Sequence, residues 1–128
     1  MSNILYHATT TQNALKIQKD GFLEKRDIMG IFFANKPRYA DAWVRMFAET
    51  NGYGEKVAWD TSLYPTTIIG VRKDLLRIKY NSNISHSHAA PWFPADLMAF
   101  HVDVERLDLK AVKAKFKESK FDYFLEAA

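Results

Sequence analysis

The hydrophobic pattern at the start of the chain predicts a strand followed by a helix. Residues 3–7 contain a short apolar run and predict a buried strand. Thr9 and Gln12 have the Thr-x-x-Gln spacing of a capping box at a helix start, and Gly21 is suited to the left-handed residue that ends the helix. We therefore expect a strand, a tight turn with His7 at its mouth, and a helix.

A second apolar segment predicts another strand and helix. Residues 30–34 are continuously apolar, which is typical of a strand buried on both faces. Asn35 is a candidate helix cap, and Pro37 suits the first turn of the helix. Apolar positions then recur at three- and four-residue steps, which predicts a helix with a wide aromatic stripe of Tyr39, Ala42, Trp43, Met46 and Phe47.

The rest of the chain predicts short strands in irregular alternation with helices. We expect a turn and a strand over residues 74–80, a polar loop over 81–90 and a last helix from Asp108 that buries Leu109, Val112 and Phe116. Further strands are expected over residues 56–59, 66–71, 97–104 and 121–125. This order favours an α+β fold over a doubly wound sheet.

Composition narrows the class of protein. The 128 residues suit a single domain over 1–128, and the net charge of +3 is too small to indicate nucleic-acid binding by itself. The absence of cysteine excludes disulfides, thiolate nucleophiles and cysteine-ligated zinc. No segment approaches the roughly 18 apolar residues of a membrane span and no secretory signal is evident, so we expect a cytoplasmic protein without a membrane partner.

Aromatic content is the unusual feature of the composition. The chain has six tyrosines, nine phenylalanines and three tryptophans, which indicates a dense core or a lined pocket. A strand-end His7 beside a threonine-rich helix start can donate hydrogen bonds to a ligand hydroxyl. An aromatic side chain on the second helix can stack on a flat ring. His86 and His88 are a weak metal signal without a third ligand nearby, and a solvated loop is favoured there.

Two short motifs carry a family resemblance. His7-Ala8-Thr9 and Gly30-Ile31-Phe32-Phe33-Ala34 are similar to elements of the diphtheria-toxin-type ADP-ribosyltransferases, which include the poly(ADP-ribose) polymerases. In that family the first strand carries His followed by Gly and Ser or Thr, and the second carries Gly-Ile-Tyr-Phe-Ala. Here Ala8 replaces the glycine and Phe32 replaces the tyrosine.

The resemblance extends less sharply to two further positions. Counting from Gly30 places Trp43 at the tyrosine that stacks on nicotinamide, with Tyr39 as the alternative. Asp96 takes the place of the glutamate that opens a late strand, and Asp103 and Glu105 are lesser candidates. An aspartate is shorter than a glutamate by one methylene, or about 1.5 Å.

The resemblance implies a split β-sandwich with a few flanking helices that uses NAD as co-substrate. It implies His7, Trp43 and Asp96 as catalytic residues, with Asp96 stabilising the charge that develops as the bond to nicotinamide breaks. His7 would hold a ribose hydroxyl, and backbone groups at Ala8 would hold the nicotinamide carboxamide. The residues implied to contact NAD are His7, Ala8, Thr9, Gly30, Phe32, Phe33, Tyr39 and Trp43.

The function implied is mono-ADP-ribosyl transfer by a monomer to a macromolecule, with a protein acceptor favoured over nucleic acid. The small size suits a toxin or a phage-type modifier of host or defence proteins. A catalytically lapsed binding module of the same fold is one alternative, and an RNA 2′-phosphotransferase-like enzyme is another. The phosphotransferase is the less favoured alternative, because the sequence shows no clear set of arginines near His7 to bind a phosphate. Arg26, Lys36 and Arg38 are open candidates for the NAD diphosphate.

Overall fold

The computed structural model describes residues 3–25, 30–49, 66–87 and 95–118. Its strands are β1 (Ile4–Thr10), β2 (Phe22–Glu24), β3 (Ile31–Ala34), β4 (Thr66–Arg72), β5 (Ile84–Ser87), β6 (Ala99–Val102), β7 (Arg106–Asp108) and β8 (Lys115–Glu118). Its helices are α1 (Thr11–Asp20), α2 (Pro37–Glu49) and α3 (Lys73–Tyr80), and a 3₁₀ turn covers Asn81–Asn83. The predicted strands over residues 56–59 and 121–125 lie outside these ranges.

The described strands form a six-stranded antiparallel sheet and a two-stranded one. The order in the larger sheet is β5-β6-β3-β1-β4-β8, and β2 pairs with β7 in the smaller one. β1 pairs with β4 along its whole length, from Ile4 opposite Arg72 to Thr10 opposite Thr66. Antiparallel strands combined with helices confirm the α+β class. Within the described ranges, no helix has the length and apolar character needed to cross a membrane.

Two apolar clusters lie against the larger sheet. The first core cluster contains buried side chains from β1, β3, β4, β6, α3 and the smaller sheet: Leu5, Leu23, Ile31, Phe33, Ile69, Val71, Leu76, Phe100, Val102, Leu107, Leu109 and Val112. The second core cluster joins the sheet to α2 and contains Ala8, Ala34, Tyr39, Ala40 and Ile68. In β1, β3 and β4, residues that alternate along the strand enter different clusters because successive side chains of a strand point to opposite faces.

The first strand and helix are confirmed, with a shift in the turn between them. β1 continues to Thr10, so His7 lies inside the strand and the prediction that it stands at the mouth of a tight turn is wrong. The helix cap is Thr10, not Thr9, because the Thr10 side chain accepts a hydrogen bond from the Asn13 N–H at 3.2 Å. Gly21 ends α1 in the left-handed conformation, as predicted.

Gly30 is required by the backbone at the start of β3. Its φ is +110°, a region that side-chain-bearing residues rarely adopt. A Cβ there would lie 2.6 Å from the carbonyl oxygen of Val102 on the neighbouring strand β6. The first residue of the Gly-Ile-Phe-Phe-Ala motif therefore has a structural reason to be glycine.

Residues 74–80 form a helix, so the expected strand there is wrong. Leu76, Ile78 and Tyr80 alternate as in a strand, but Leu76 is 0% exposed and Ile78 is 81% exposed. Leu76 and Tyr80, four residues apart, lie on the face that packs against the first core cluster. Asp74 in the first turn favours the helix because a negative charge complements the positive end of the helix dipole.

Two other segments differ from their predicted structure. The expected polar loop over 81–90 contains β5, whose Ile84 lies opposite Val102. The expected helix from Asp108 is replaced by a turn and by β8, which pairs with β4. Leu109 and Val112 are nevertheless buried, as the pattern predicted, because they pack in the first core cluster from a turn instead of a helix.

Candidate functional site

Asp96 lies in a hydrogen-bonded cluster at the beginning of α2. Its carboxylate Oδ1 accepts a hydrogen bond from the Tyr39 hydroxyl, and its Oδ2 forms an ion pair with the Lys36 ammonium. Asp96 comes from the turn before β6, whereas both donors come from the segment that follows β3. Because β3 and β6 are paired, with Ala34 opposite Ala99, their adjacent ends bring these groups together.

Asn35 holds the backbone of the turn that carries Asp96. Its side-chain amide donates to the Asp96 carbonyl at 2.9 Å and accepts from the Met98 N–H at 2.9 Å. The Asn35 N–H also donates to the Met98 carbonyl at 3.1 Å. The predicted cap role of Asn35 is therefore wrong, since its side chain is bonded to this turn and the Lys36 carbonyl accepts the first helical hydrogen bonds of α2.

The cluster keeps the Asp96 carboxyl ionised. The hydrogen bond from Lys36, and after it the one from Tyr39, lower the pKa of Asp96 to about 2. The same hydrogen bond raises the pKa of Lys36 above its ordinary value. Both groups are therefore charged at neutral pH, and Asp96 offers an anionic oxygen pair that is partly open to solvent.

His7 is bonded to β3, the neighbouring strand of the sheet. Its Nδ1 lies 2.7 Å from the carbonyl oxygen of Phe32, and its ring centre is 5.8 Å from that of Phe33. A carbonyl oxygen only accepts hydrogen bonds, so this contact assigns a proton to Nδ1. Within the described strands, β1 and β3 are paired only at Tyr6, which lies opposite Ala34. The hydrogen bond from the His7 imidazole to the Phe32 carbonyl is a further link between the two strands near that pair.

The sheet separates His7 from the Asp96 cluster. His7 contacts Phe33 of the first core cluster, whereas the next residue, Ala8, belongs to the second core cluster with Tyr39. Strand alternation therefore directs the His7 side chain to the face opposite Tyr39. The structure brings Asp96 together with Tyr39 and places His7 on the adjacent strand, across the sheet from them.

Most residues implied to contact NAD are buried in the described structure. Phe33 is 0% exposed and Tyr39 is 7% exposed, and Ala8, Thr9 and Gly30 are also buried. Phe32 is half-buried, with its ring edge-on to His101 at 5.5 Å. The backbone of Trp43 lies in α2, but its side chain is outside the described part of the structure.

The two lesser acidic candidates and the candidate diphosphate-binding arginines lie in different parts of the structure. Asp103 follows β6 at its other end and forms an ion pair with Lys25. Glu105 is exposed, and its carbonyl accepts from the Lys25 N–H at 3.0 Å. The Arg38 guanidinium lies 5.3 Å from the centre of the Tyr39 ring. Arg26 is outside the described residues.

The sequence did not reveal the buried Asp41 or the role of Lys36. Asp41 is 0% exposed in α2, and the Thr66 hydroxyl at the start of β4 donates to it. The available signal was a carboxyl within the apolar stripe of the predicted helix, between Ala40 and Ala42. Lys36 appeared only as a candidate phosphate ligand, whereas in the structure its ammonium is bonded to Asp96.

The structure describes only one of the two histidines in the predicted loop. No group of three or more His, Asp or Glu side chains in the described ranges is arranged to hold a metal ion. His86 is exposed on β5, with its ring edge-on to Phe100 at 4.6 Å. His88 lies outside the described residues.

Comparison with protein-family models, with curated proteins and with solved structures gave no match. The support for a function therefore comes from the residues and geometry of this chain.

Proposed function

We propose that this chain is an NAD-dependent mono-ADP-ribosyltransferase built on a split β-sandwich. One observation carries the proposal: the three strands associated with the resemblance, β1, β3 and β6, are neighbours in the sheet. They are far apart in the sequence, so the motifs alone did not require this adjacency. The adjacency brings the end of β3 and the Asp96 turn together, and it puts His7 on the next strand with its side chain on the other face of the sheet.

The chemistry of Asp96 supports this function. Breaking the bond between nicotinamide and ribose develops positive charge on the sugar, and a fixed carboxylate stabilises that charge. Asp96 is ionised at neutral pH, and a carboxylate has about four lone-pair positions. The donors Lys36 and Tyr39 use one position on each oxygen, which leaves acceptor capacity for a ribose hydroxyl.

The described geometry argues against Tyr39 as the stacking residue, which leaves Trp43, the position that the resemblance implies. The Tyr39 ring is 7% exposed and packs in the second core cluster, and its hydroxyl is bonded to Asp96. A ring held this way has little surface to offer to nicotinamide. In the proposed site, Trp43 is assigned to the base and Asp96 contacts the adjoining ribose. The His7 side chain lies on the other face of the sheet, so His7 supports the site through its hydrogen bond to the Phe32 carbonyl on β3 instead of by holding a ribose hydroxyl.

Release of nicotinamide from NAD tests the proposal. The purified wild-type chain is expected to release nicotinamide, and Asp96→Asn is expected to lower the rate by roughly 10²–10³-fold because a stabilising charge is lost. Asp103→Asn is the matched comparison, since Asp103 is also an ion-paired aspartate beside β6. His7→Ala is measured beside them, with thermal unfolding to show that each variant folds.

If the wild type does not consume NAD, the proposed enzymatic activity is wrong. If Asp103→Asn loses activity and Asp96→Asn keeps it, Asp103 and not Asp96 is the carboxylate that stabilises the charge on the ribose. Both aspartates are exposed and neither belongs to a core cluster, so both asparagine variants are expected to fold, which thermal unfolding checks.

A second candidate function is a binding module with the same fold. The hydrogen bond from His7 to the Phe32 carbonyl supports it, because the histidine then has a structural role within the sheet. The burial of Ala8, Thr9 and Phe33 supports it as well. Calorimetry separates the two functions, since heat of NAD binding without nicotinamide release favours the module.

A further inference from the structure

We propose that Lys36 and Tyr39 are positioning residues that hold the Asp96 carboxylate in one orientation for the reaction. This inference rests on the proposed function, and it assigns roles that the resemblance did not supply. The observation behind it is that each carboxylate oxygen has its own donor, the Tyr39 hydroxyl on Oδ1 and the Lys36 ammonium on Oδ2.

Two donors on two oxygens restrict rotation of the carboxylate. One donor alone leaves the group free to turn about its terminal bond, whereas two donors on opposite oxygens define its plane. The Tyr39 donor is rigid because its ring is buried in the second core cluster. The three Asn35 hydrogen bonds to Asp96 and Met98 fix the backbone below the carboxylate.

Positioning matters more for an aspartate that replaces a glutamate. The shorter side chain has less reach, so the backbone and the carboxylate plane must set where its oxygens lie. Misplacement of a reacting or stabilising group by about 1 Å can cost roughly 100-fold in rate. Lys36, immediately before α2, and Tyr39, in its first turn, hold the Asp96 oxygens in that position.

The same contacts determine the pH range in which Asp96 acts. In the described residues, the charged and titratable groups beside it are Lys36 and Tyr39, with Arg38 against the Tyr39 ring. Hydrogen bonds from Lys36 and Tyr39 lower the pKa of Asp96 to about 2, below its ordinary 3.8. Loss of both donors should return the pKa toward 3.8, and the carboxylate would then be only about 60% ionised at pH 4.

Tyr39→Phe and Lys36→Met, singly and together, test the inference by nicotinamide release. Each single change should lower kcat by about 10-fold while KM for NAD changes by less than about 3-fold, because placement of Asp96 is lost and NAD contacts are kept. The double variant should also lose roughly 40% of its own neutral-pH rate at about pH 4, where the wild type retains its rate. Lys36→Arg, which keeps a charged donor, should restore most of kcat.

Matched controls separate this effect from general loss of stability. Tyr80→Phe removes a hydroxyl that accepts a hydrogen bond from the Asp108 N–H, and Tyr80 packs against the first core cluster whereas Tyr39 belongs to the second. Lys16→Met removes an exposed charge from α1. Both controls should keep the wild-type kcat and pH profile.

Two results would overturn the inference, and they are distinguishable from each other. If the wild type releases nicotinamide but Tyr39→Phe and Lys36→Met keep its kcat and pH profile, the positioning role is wrong and the proposed function stands. If the wild type releases none, the proposed function fails together with the catalytic role of this cluster. In that case, NMR titration of the Asp96 carboxyl in the wild type and in the double variant shows whether Lys36 and Tyr39 lower its pKa. A lowered pKa without activity would mean that the contact serves the structure alone.

Discussion

Replacing Gly30 by alanine perturbs the junction between β3 and β6, on which the placement of the candidate site depends. Gly30 has a φ of +110°, and a Cβ built on it would lie 2.6 Å from the carbonyl oxygen and 2.8 Å from the carbonyl carbon of Val102. Both contacts are with backbone, so no side chain can rotate away to relieve them. The neighbouring pair, Ile31 opposite Val102, begins the β3–β6 ladder.

The expected cost has two parts. Holding alanine in this backbone region costs about 1–3 kcal/mol. Separating the two strands enough to admit the Cβ costs about 1–3 kcal/mol more, as in overpacked cores. Gly30→Ala should therefore lower the free energy of unfolding by about 2–6 kcal/mol.

Gly21 offers a matched control for the backbone part. It also has positive φ, at +80°, but a Cβ there meets nothing within 4 Å. Gly21→Ala should cost about 1–2 kcal/mol, the penalty of a left-handed alanine alone. The difference between the two variants reports the contact with Val102 together with any extra backbone cost at φ +110° compared with +80°.

Urea denaturation followed by circular dichroism measures both costs, and the m-value shows whether unfolding remains comparable. A loss of 1 kcal/mol corresponds to roughly 4 °C in Tm for a chain of this size. If Gly30→Ala is no less stable than Gly21→Ala, the close approach of β3 to β6 is wrong. The described placement of Asp96 beside α2 would then lose its support.

Two further predictions concern polar groups. Thr66→Val should destabilise the chain by about 1–3 kcal/mol in urea denaturation, because the buried Asp41 carboxyl loses a hydrogen-bond donor. An unchanged stability would contradict that contact. The pKa of Asp96 is lowered on folding, so its contribution to stability is present above about pH 4 and is lost as the pH falls toward 2. Asp96→Asn should therefore reduce the drop in unfolding free energy between about pH 5 and about pH 2.5, and an equal drop in both proteins would refute the assignment.

Local signals were sufficient at the start of the chain. The apolar run before a threonine-rich segment predicted β1 and α1, and Gly21 predicted the end of the helix, because capping depends on residues close in sequence. The helix start was misplaced by one residue because Thr10 also pairs with Thr66, a residue far along the chain. The extent of β1 therefore depended on a partner that local patterns do not reveal.

The errors in the second half have a common physical cause. Leu76, Ile78 and Tyr80 fit a strand by alternation, and only packing against the first core cluster shows that Ile78 faces solvent. In the last segment, Leu109 and Val112 have helical spacing, but pairing with β4 draws the chain that follows them into β8. Tertiary pairing decided the structure of both segments, against a short and ambiguous local pattern.

The candidate site was predictable in part. Asp96 and Tyr39 were both named from the sequence, but their contact depends on the pairing of β3 with β6. Lys36 was one of three open candidates for the NAD diphosphate, because the sequence gives no sign of which anion a lysine will bond, and in the structure it is paired with Asp96. The position of His7 across the sheet from Tyr39 follows from strand alternation once the true extent of β1 is known.

Mass spectrometry of host proteins after expression of this chain tests the central proposal most directly. We expect a mass gain of one ADP-ribose on an acceptor protein with wild type, its disappearance with Asp96→Asn and its retention with Asp103→Asn. Absence of any such gain from the folded wild-type chain, or an equal gain from both variants, would contradict ADP-ribosyl transfer by these residues.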